Sequence, residues 1–201
     1  MRHISLRAFL FGMAALAFTA CGDSSPNIIL ETDAGKIEIE VYPKKAPLSA
    51  NDFLYHVDEG LYNGEGFYRT VTPQTDPLKM DMSIIQGGRL ALVPVTAPLD
   101  HEPTSLSGLS NVKGSVAIAR DGIGSGSAAY FFINLDDNKF LDAGGARNPD
   151  GAGYAVFGQV ISGLDVAASI QKGAVQPTTN IRETENQFLK QPVKIKKAYR
   201  K

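Results

Sequence analysis

The sequence predicts a mainly β fold, specifically a closed antiparallel barrel that carries two helices. Short apolar runs rich in β-branched and aromatic residues recur along the chain, separated by turns rich in glycine, proline and serine. Only two stretches have the apolar spacing of an amphipathic helix, and no segment repeats. Because 43% of the 201 residues are hydrophobic and 20% are charged, the chain can build one ordinary core. We therefore predict a single folded domain over residues 27–201.

The first residues have the composition of an export signal. Arg2 and Arg7 precede an apolar run over residues 8–20, which is too short to cross a bilayer as a helix. We therefore expect residues 1–20 to be a signal peptide. Cys21 is the only cysteine in the chain and directly follows the apolar run. Because residues 18–22 resemble a bacterial lipobox, we expect lipidation of Cys21, with residues 21–26 as a lipidated tether.

This interpretation predicts a location in the bacterial cell envelope, with the domain in the periplasm and a lipid holding it to the membrane. The alternative is a soluble periplasmic protein, because residues 15–17 offer the small-residue pattern of an ordinary signal peptidase site. A single cysteine leaves no internal disulfide to form. The net charge of −1 gives no basic excess, which argues against a nucleic-acid partner.

The domain opens with a predicted β-hairpin and a helix. Residues 27–43 alternate apolar and polar residues on both sides of Asp33-Ala34-Gly35, which has the composition of a tight turn. In the stretch that follows, apolar residues repeat at helical spacing. Ser49 can cap the start of this helix and Gly60 can end it.

Two further strands are predicted at residues 66–71 and 83–88, with a polar, proline-containing loop over residues 73–81 between them. The first of these strands contains Arg69 among apolar neighbours. The arginine can belong to an edge strand that exposes it to water, or it can have a functional role. The residue pattern alone leaves both interpretations open.

Residues 89–113 lack periodicity and predict a long surface loop. The strands predicted next, at residues 115–119 and 130–134, flank a loop rich in glycine and serine, which is typical of a binding-site wall. That loop precedes a strand rather than a helix, which argues against phosphate binding. The pair His101-Glu102 has no further ligands at usable spacing, so the sequence predicts neither a metal nor a cofactor.

The last part of the chain predicts two strands and the second helix. Residues 154–160 form an apolar run typical of a strand, and residues 164–172 have helical spacing that ends at Gly173. Residues 193–199 alternate apolar residues with lysine, which predicts a closing strand whose lysines face water.

Several motifs resemble, in order and spacing, those of cyclophilin-type peptidyl-prolyl cis-trans isomerases, with the best likeness to exported bacterial members. Phe67-Tyr68-Arg69 stands where cyclophilins have Phe-His-Arg, and Gln86-Gly87-Gly88 matches their Gln-Gly-Gly. The other motifs are Ala-Ile-Ala-Arg at 117–120, Tyr-Phe-Phe-Ile-Asn at 130–134, Phe-Leu-Asp at 140–142 and Tyr-Ala-Val-Phe-Gly-Gln-Val at 154–160. The resemblance covers residues 27 to about 173. It implies an eight-stranded antiparallel barrel with a helix over each open end.

The resemblance also implies an activity and a partner. The protein is expected to be a rotamase that accelerates rotation about X-Pro bonds in exported proteins, acting on proline-containing polypeptides as a monomer without a cofactor. In the family pattern, Arg69 stabilises the twisted amide and Gln86 bonds to the substrate backbone, so both are predicted to be catalytic. The predicted substrate-binding residues are Phe67, Ile84, Ala119, Phe132, Phe140, Leu141 and Tyr154. Without the resemblance, Phe132, Leu141 and Ile84 are better explained as plain barrel core.

This sequence departs from the family pattern at three places. Ser83 replaces a pocket phenylalanine, Tyr130 stands where glutamine precedes Phe-Phe-Ile, and the loop at 73–81 lengthens the arginine-to-glutamine spacing. A shallow pocket follows, unless the loop folds back and supplies Leu78, Met80 or Met82. Two rival functions remain: a cyclophilin-fold chaperone or binding module with weak or no isomerase activity, and an unrelated β-barrel lipoprotein that carries a small ligand.

Overall fold

The computed structural model describes residues 25–91, 97–177 and 184–201, and it contains the closed antiparallel barrel that the sequence predicts. Around the barrel, the strands follow the order β1-β2-β7-β5-β6-β4-β3-β8, and each neighbouring pair is antiparallel. The predicted signal peptide, residues 1–20, and Cys21 lie outside the described residues. The eight strands are β1 Asn27–Thr32, β2 Gly35–Val41, β3 Gly66–Val71, β4 Ile84–Gly88, β5 Ser115–Ile118, β6 Tyr130–Asn134, β7 Val156–Ser162 and β8 Phe188–Arg200.

Three helices occur within the described ranges: α1 Pro47–Asp58, α2 Thr104–Ser107 and α3 Leu164–Gln171. The first and the third are the two that the sequence predicts. The second is a single turn inside residues 89–113, where only a loop was predicted. In the part of the chain that the structure describes, no helix has both the length and the apolar character needed to cross a membrane.

The hairpin of β1 and β2 turns where the sequence indicates. Thr32 pairs with Gly35, so Asp33 and Ala34 form a two-residue turn. The hydroxyl of Thr32 donates to the carbonyl of Gly35 (2.7 Å) and accepts from the N–H of Ala34 (3.1 Å). The side chain of Thr32 therefore closes the turn and fixes the register of the first two strands.

Alternation along the strands produces two separate hydrophobic clusters, one on each face of the sheet. On β5, Val116 faces the barrel interior and Ala117 faces outward; on β6, Phe131 faces inward and Phe132 outward. The interior is the larger core, and both α1 and α3 insert apolar residues into it. The ring of Phe53 from α1 lies 5.5 Å from that of Phe131. The outer cluster lies under the cleft described below.

The start of α1 differs from the prediction. The helix begins at Pro47, so Ser49 lies inside its first turn and is not the cap. Glu102 caps the helix instead: its carboxylate accepts from the backbone N–H groups of Leu48 (3.0 Å) and Ser49 (2.7 Å), and from the Ser49 hydroxyl (2.7 Å). These bonds also tie the loop at residues 97–113 to α1.

Candidate active site

Strand β3 contains a β-bulge that decides which way Arg69 points. Phe67 pairs with Gly87 of β4, but the next paired residue is Arg69, opposite Gln86, so Tyr68 is the extra residue. Simple alternation places residues two apart on the same face. The bulge breaks this rule, because Phe67 lies inside the barrel while Tyr68 and Arg69 both line a cleft on its outer face. The bulge thereby keeps the guanidinium out of the apolar core.

The structure corrects the prediction for Phe67, which was expected to bind substrate. Its side chain is fully buried in the barrel interior, and its ring packs edge-on against that of Phe131 with the centroids 5.8 Å apart. Phe67 therefore supports the site from behind and does not line it.

Two neutral amide side chains hold the guanidinium of Arg69. Its Nη1 donates to Oε1 of Gln86 (2.7 Å), while its Nε and Nη2 donate to Oε1 of Gln187 (2.8 and 2.6 Å). The Nε2 of Gln86 donates in turn to the hydroxyl of Tyr68 (2.9 Å). The arginine–carboxylate pairs among the described residues involve other arginines, so the charge of Arg69 is not neutralised.

Burial lowers the pKa of Arg69 because desolvation penalises its charged form. The guanidinium still stays protonated at neutral pH, since its ordinary pKa lies far above 7. Only amide oxygens hold this half-buried positive charge, so the guanidinium can still form a strong hydrogen bond to a further acceptor. Of its five N–H bonds, two have no partner among the described residues.

The floor of the cleft is the outer hydrophobic cluster. The rings of Phe132 and Tyr154 meet edge-on with their centroids 5.4 Å apart. The cleft has a volume of about 660 Å³, which accommodates a short stretch of peptide. The buried residues of the cluster are Val71, Met82, Ile84, Ala117, Phe132, Leu141 and Val156, with Ala119, Phe140 and Tyr154 packed against them.

Most of the predicted site residues meet in this cleft. The residues that line it include the predicted catalytic pair Arg69 and Gln86 together with Ile84, Ala119, Phe132, Leu141 and Tyr154. The position of Phe140 is a correction: it packs beside the floor cluster and is absent from the lining. It belongs to a 3₁₀ turn, Lys139–Leu141, in which Leu141 is buried and Phe140 remains half-buried.

The inserted loop at residues 73–82 is organised around one buried carboxylate. Asp76 is 0% exposed, and it accepts from the backbone N–H groups of Leu78 (3.2 Å), Met80 (2.8 Å) and Met82 (3.3 Å). It also forms an ion pair with Arg147, whose Nη1 lies 2.6 Å from Oδ1. Burial opposes the ionisation of Asp76, but the bonds from Arg147 and from the backbone outweigh this effect and lower its pKa.

Of the three apolar residues that this loop could supply to the cleft, Met82 does so. It is buried and lines the cleft beside Ile84, whereas Leu78 is exposed. Ser83, which replaces the family's pocket phenylalanine, points elsewhere: its hydroxyl accepts from Nε2 of Gln171 on α3 (3.0 Å). The loop therefore folds back and supplies Met82 to the cleft, while Ser83 contributes no apolar surface to it.

The sequence reasoning missed several charged or polar residues at the site, among them Arg120, Arg147 and Gln187. Arg120 donates to both carboxylate oxygens of Asp150 (2.7 and 2.9 Å) and lies over the ring of Tyr154, 5.3 Å from its centroid. The bonds from Arg120 lower the pKa of Asp150 to about 2. Arg120 had a signal, because it belongs to the Ala-Ile-Ala-Arg motif; Gln187 stands in a segment without any recognisable pattern.

The described residues contain no cluster of three or more His, Cys, Asp or Glu side chains that could hold a metal ion. His101 and Glu102 serve other purposes. Glu102 caps α1, and a ring nitrogen of His101 lies 2.9 Å from the carbonyl oxygen of Ala152.

Comparisons with known proteins agree with this architecture. The family model described as cyclophilin type peptidyl-prolyl cis-trans isomerase/CLD matches residues 27–200. A peptidyl-prolyl cis-trans isomerase of Acinetobacter baylyi is 36% identical, over 91% of this chain and 89% of its own length. Peptidyl-prolyl cis-trans isomerase A of Dickeya dadantii is 33% identical, over 89% of this chain and 86% of its own. The crystal structure of a cyclophilin type isomerase from Cryptosporidium parvum superimposes with a TM-score of 0.64 at 17% identity, covering 88% of this chain and 98% of that one.

The eight-stranded closed barrel is a cyclophilin-like fold. The chain belongs to the family of cyclophilin type peptidyl-prolyl cis-trans isomerases. It is accordingly an isomerase that acts on proline-containing peptides.

Proposed function

We propose that this isomerase works through the unneutralised charge of Arg69, which stabilises the twisted X-Pro amide of a bound peptide. The X-Pro bond has a torsional barrier of about 18–20 kcal/mol, and it rotates in tens to hundreds of seconds without a catalyst. Reaching the millisecond range requires about 5–7 kcal/mol of stabilisation that is specific to the twisted state.

The twisted state differs from the ground state in one feature that a guanidinium can recognise. Rotation removes the amide resonance, so the proline nitrogen regains a lone pair that can accept a hydrogen bond. A charge-assisted donor held in place beforehand binds that nitrogen only when the amide is twisted, and such donors contribute about 3–4 kcal/mol. The observation that carries the proposal is the placement of Arg69: two neutral amides fix it at the cleft, and two of its N–H groups have no partner among the described residues.

The remaining side chains of the cleft would bind the substrate. The proline ring would rest on Phe132, Leu141 and Met82, which are apolar and buried. Gln86 already uses one N–H on Tyr68, so its second N–H would bond to a substrate carbonyl. The N–H of Ala119 donates to Tyr130 (2.9 Å), so an extended peptide would contact the carbonyl of Ala119 instead. In support of a prolyl ligand, a Cryptosporidium parvum cyclophilin type isomerase was crystallised in the presence of the dipeptide Ala-Pro.

The test compares Arg69→Ala and Arg69→Lys with the parent protein, using NMR exchange on a short X-Pro peptide. We expect kcat/KM to fall about 100- to 1000-fold in Arg69→Ala, with the fold retained. Arg69→Lys should recover little, because an ammonium cannot bond to Gln86 and Gln187 and still present a fixed donor. Near-parental exchange rates in folded Arg69→Ala would refute the mechanism. A parent protein that binds the peptide without accelerating exchange would favour the rival chaperone or binding module.

We further propose that the enzyme assists the folding of exported proteins while a lipid on Cys21 holds it to the membrane. The support is the sequence pattern alone: an apolar run preceded by arginines, and a lone cysteine directly after it. Each lipid chain adds about 0.8 kcal/mol of membrane affinity per buried CH₂. Cys21→Ser should release the protein from membranes or stall its processing. Mass spectrometry that finds an unmodified thiol, or a mature chain that begins beyond residue 21, would exclude the lipid.

A further inference from the structure

Gln187 is the least expected member of the site. It immediately precedes β8, far from Arg69 in sequence, and its side chain is 0% exposed. Its Oε1 accepts two hydrogen bonds from Arg69, from Nε at 2.8 Å and from Nη2 at 2.6 Å. Both N–H groups on one edge of the guanidinium plane therefore converge on a single oxygen, and this fixes both the position and the tilt of the plane.

The orientation of the Gln187 amide is itself fixed by its other partners. Its Nε2 donates to the carbonyl of Thr75 (2.8 Å), and its own backbone carbonyl accepts from the N–H of Thr70 (2.8 Å). A guanidinium only donates and a carbonyl only accepts, so a single orientation of the amide satisfies both neighbours. Gln187 thus links the inserted loop to the guanidinium, and its side chain cannot turn away without leaving buried polar groups unpaired.

The chemical type of this residue matters as much as its position. A carboxylate at the same place would hold the guanidinium more strongly, but it would also neutralise the charge that the twisted amide is proposed to meet. An apolar residue would accept no hydrogen bond from Nε or Nη2 of Arg69, so the guanidinium plane could rotate away from its present orientation. A buried neutral acceptor satisfies both needs, because it orients the group and preserves its charge.

We propose that Gln187 is a positioning residue for isomerisation, which acts by holding the guanidinium of Arg69 in line with the substrate amide. The inference rests on the function proposed for Arg69. Loss of the acceptor should lower kcat about 10- to 100-fold, the scale on which small misplacements of a catalytic group act. It should leave KM within about twofold, because Gln187 does not line the cleft in which the peptide would bind.

The experiment is a double-mutant cycle on Arg69 and Gln187. The activity of each variant is measured by NMR exchange on an X-Pro peptide at high enzyme concentration. The variants are Arg69→Ala, Gln187→Met, Gln187→Glu, and Arg69→Ala combined with Gln187→Met. Gln187→Met keeps the length and removes the acceptor. Gln187→Glu keeps the acceptor, adds a negative charge and removes the donor to Thr75. The matched control is Gln171→Met. Gln171 donates to the carbonyl of Val71 (2.7 Å) and to Ser83, close to the same strands, but no bond links it to Arg69.

We expect both single changes at Gln187 to lower kcat, the control to change it less than twofold, and Gln187→Met to have no further effect once Arg69 is alanine. In ¹⁵N-labelled protein, the Nε–H signal of Arg69, assigned by its absence in Arg69→Lys, should lose its protection from exchange in Gln187→Met. An unchanged kcat in folded Gln187→Met, or an equal loss in the Arg69→Ala background, would overturn the inference. If Gln187→Met does not fold, Gln187→Glu serves as the test. A parental kcat in Gln187→Glu would refute the requirement for a neutral side chain at position 187. Full activity of Arg69→Ala would refute the proposed function itself, which is a distinguishable result.

Discussion

Replacing Asp76 by asparagine should detach the inserted loop from the site. Asp76 is 0% exposed and its partner Arg147 is nearly buried, so the change leaves a guanidinium without its counter-charge. Breaking a buried pair by removing one partner costs about 3–5 kcal/mol. Asparagine keeps an oxygen that can still accept from the backbone of Met80 or Met82, and each such bond retains about 1 kcal/mol. We therefore expect the free energy of unfolding to fall by about 2–4 kcal/mol at pH 7.

The same change should also weaken substrate binding. Met82 is held in the cleft by the loop that Asp76 organises, and a buried side chain of its size contributes about 1.5–3 kcal/mol. Loss of a third to a half of that contribution raises KM about fivefold. Urea unfolding and steady-state kinetics measure the two effects, and Asp81→Asn is the matched control, because Asp81 is an exposed residue of the same loop. Unchanged stability and KM in Asp76→Asn would refute the role given to the buried carboxylate.

The pH dependence of Asp76 has a definite sign. Its pKa is lowered in the folded state, so its stabilisation is present above the unfolded pKa of about 3.9 and disappears as the pH falls through the folded value. The difference in unfolding free energy between the parent and Asp76→Asn should therefore be constant from pH 7 to about pH 5 and shrink below about pH 4. A difference that grows on acidification contradicts this assignment.

Three further predictions concern the walls of the cleft. Met82→Ala should raise KM about fivefold with kcat nearly unchanged, because it removes apolar surface and no catalytic donor. Ser83→Phe should destabilise the fold by about 1–3 kcal/mol without tightening substrate binding, because the Ser83 hydroxyl faces Gln171 and a phenyl ring there must displace the Gln171 side chain. Thermal unfolding measures the loss of stability, and KM measures substrate binding. Asp150 has a pKa of about 2, so its pair with Arg120 stays intact between pH 7 and pH 4, and Asp150→Asn should raise KM about threefold throughout that range. A KM in Asp150→Asn that matches the parent at every pH contradicts the last prediction.

The fold was predictable because most of its determinants are local. Alternating residues and turn chemistry place the first hairpin, and the alternation of Val116 with Ala117 already separates the inner from the outer face. The closing strand could be recognised from its lysines, although it is longer than the alternating segment and runs over Phe188–Arg200. Resemblance to a family then supplied what periodicity cannot, namely that Arg69 and Gln86 belong to one site.

The failures of prediction share a physical cause, which is that the deciding contact is distant in sequence. Ser49 has the residue type of a cap, yet Glu102 caps α1 from 53 residues away. Phe67 obeys the alternation rule until a bulge at Tyr68 shifts the rest of the strand, and a bulge has no composition signal here. Gln187 meets Arg69 across 118 residues, a contact that only the closure of β8 onto β3 creates.

These distant contacts serve one electrostatic requirement. A guanidinium that is to act on a twisted amide has to be partly desolvated, since water would compete for its donors, and desolvation alone favours its neutral form. The usual remedy is a carboxylate partner, and the protein uses it for Arg120 and Arg147, which flank the same cleft. For Arg69 it uses two amide oxygens instead, one from the facing strand and one from the segment that precedes the closing strand. The bulge, the inserted loop and the segment before the closing strand therefore act together: they hold Arg69 in place and leave it as the one of these three neighbouring arginines that has no carboxylate partner among the described residues.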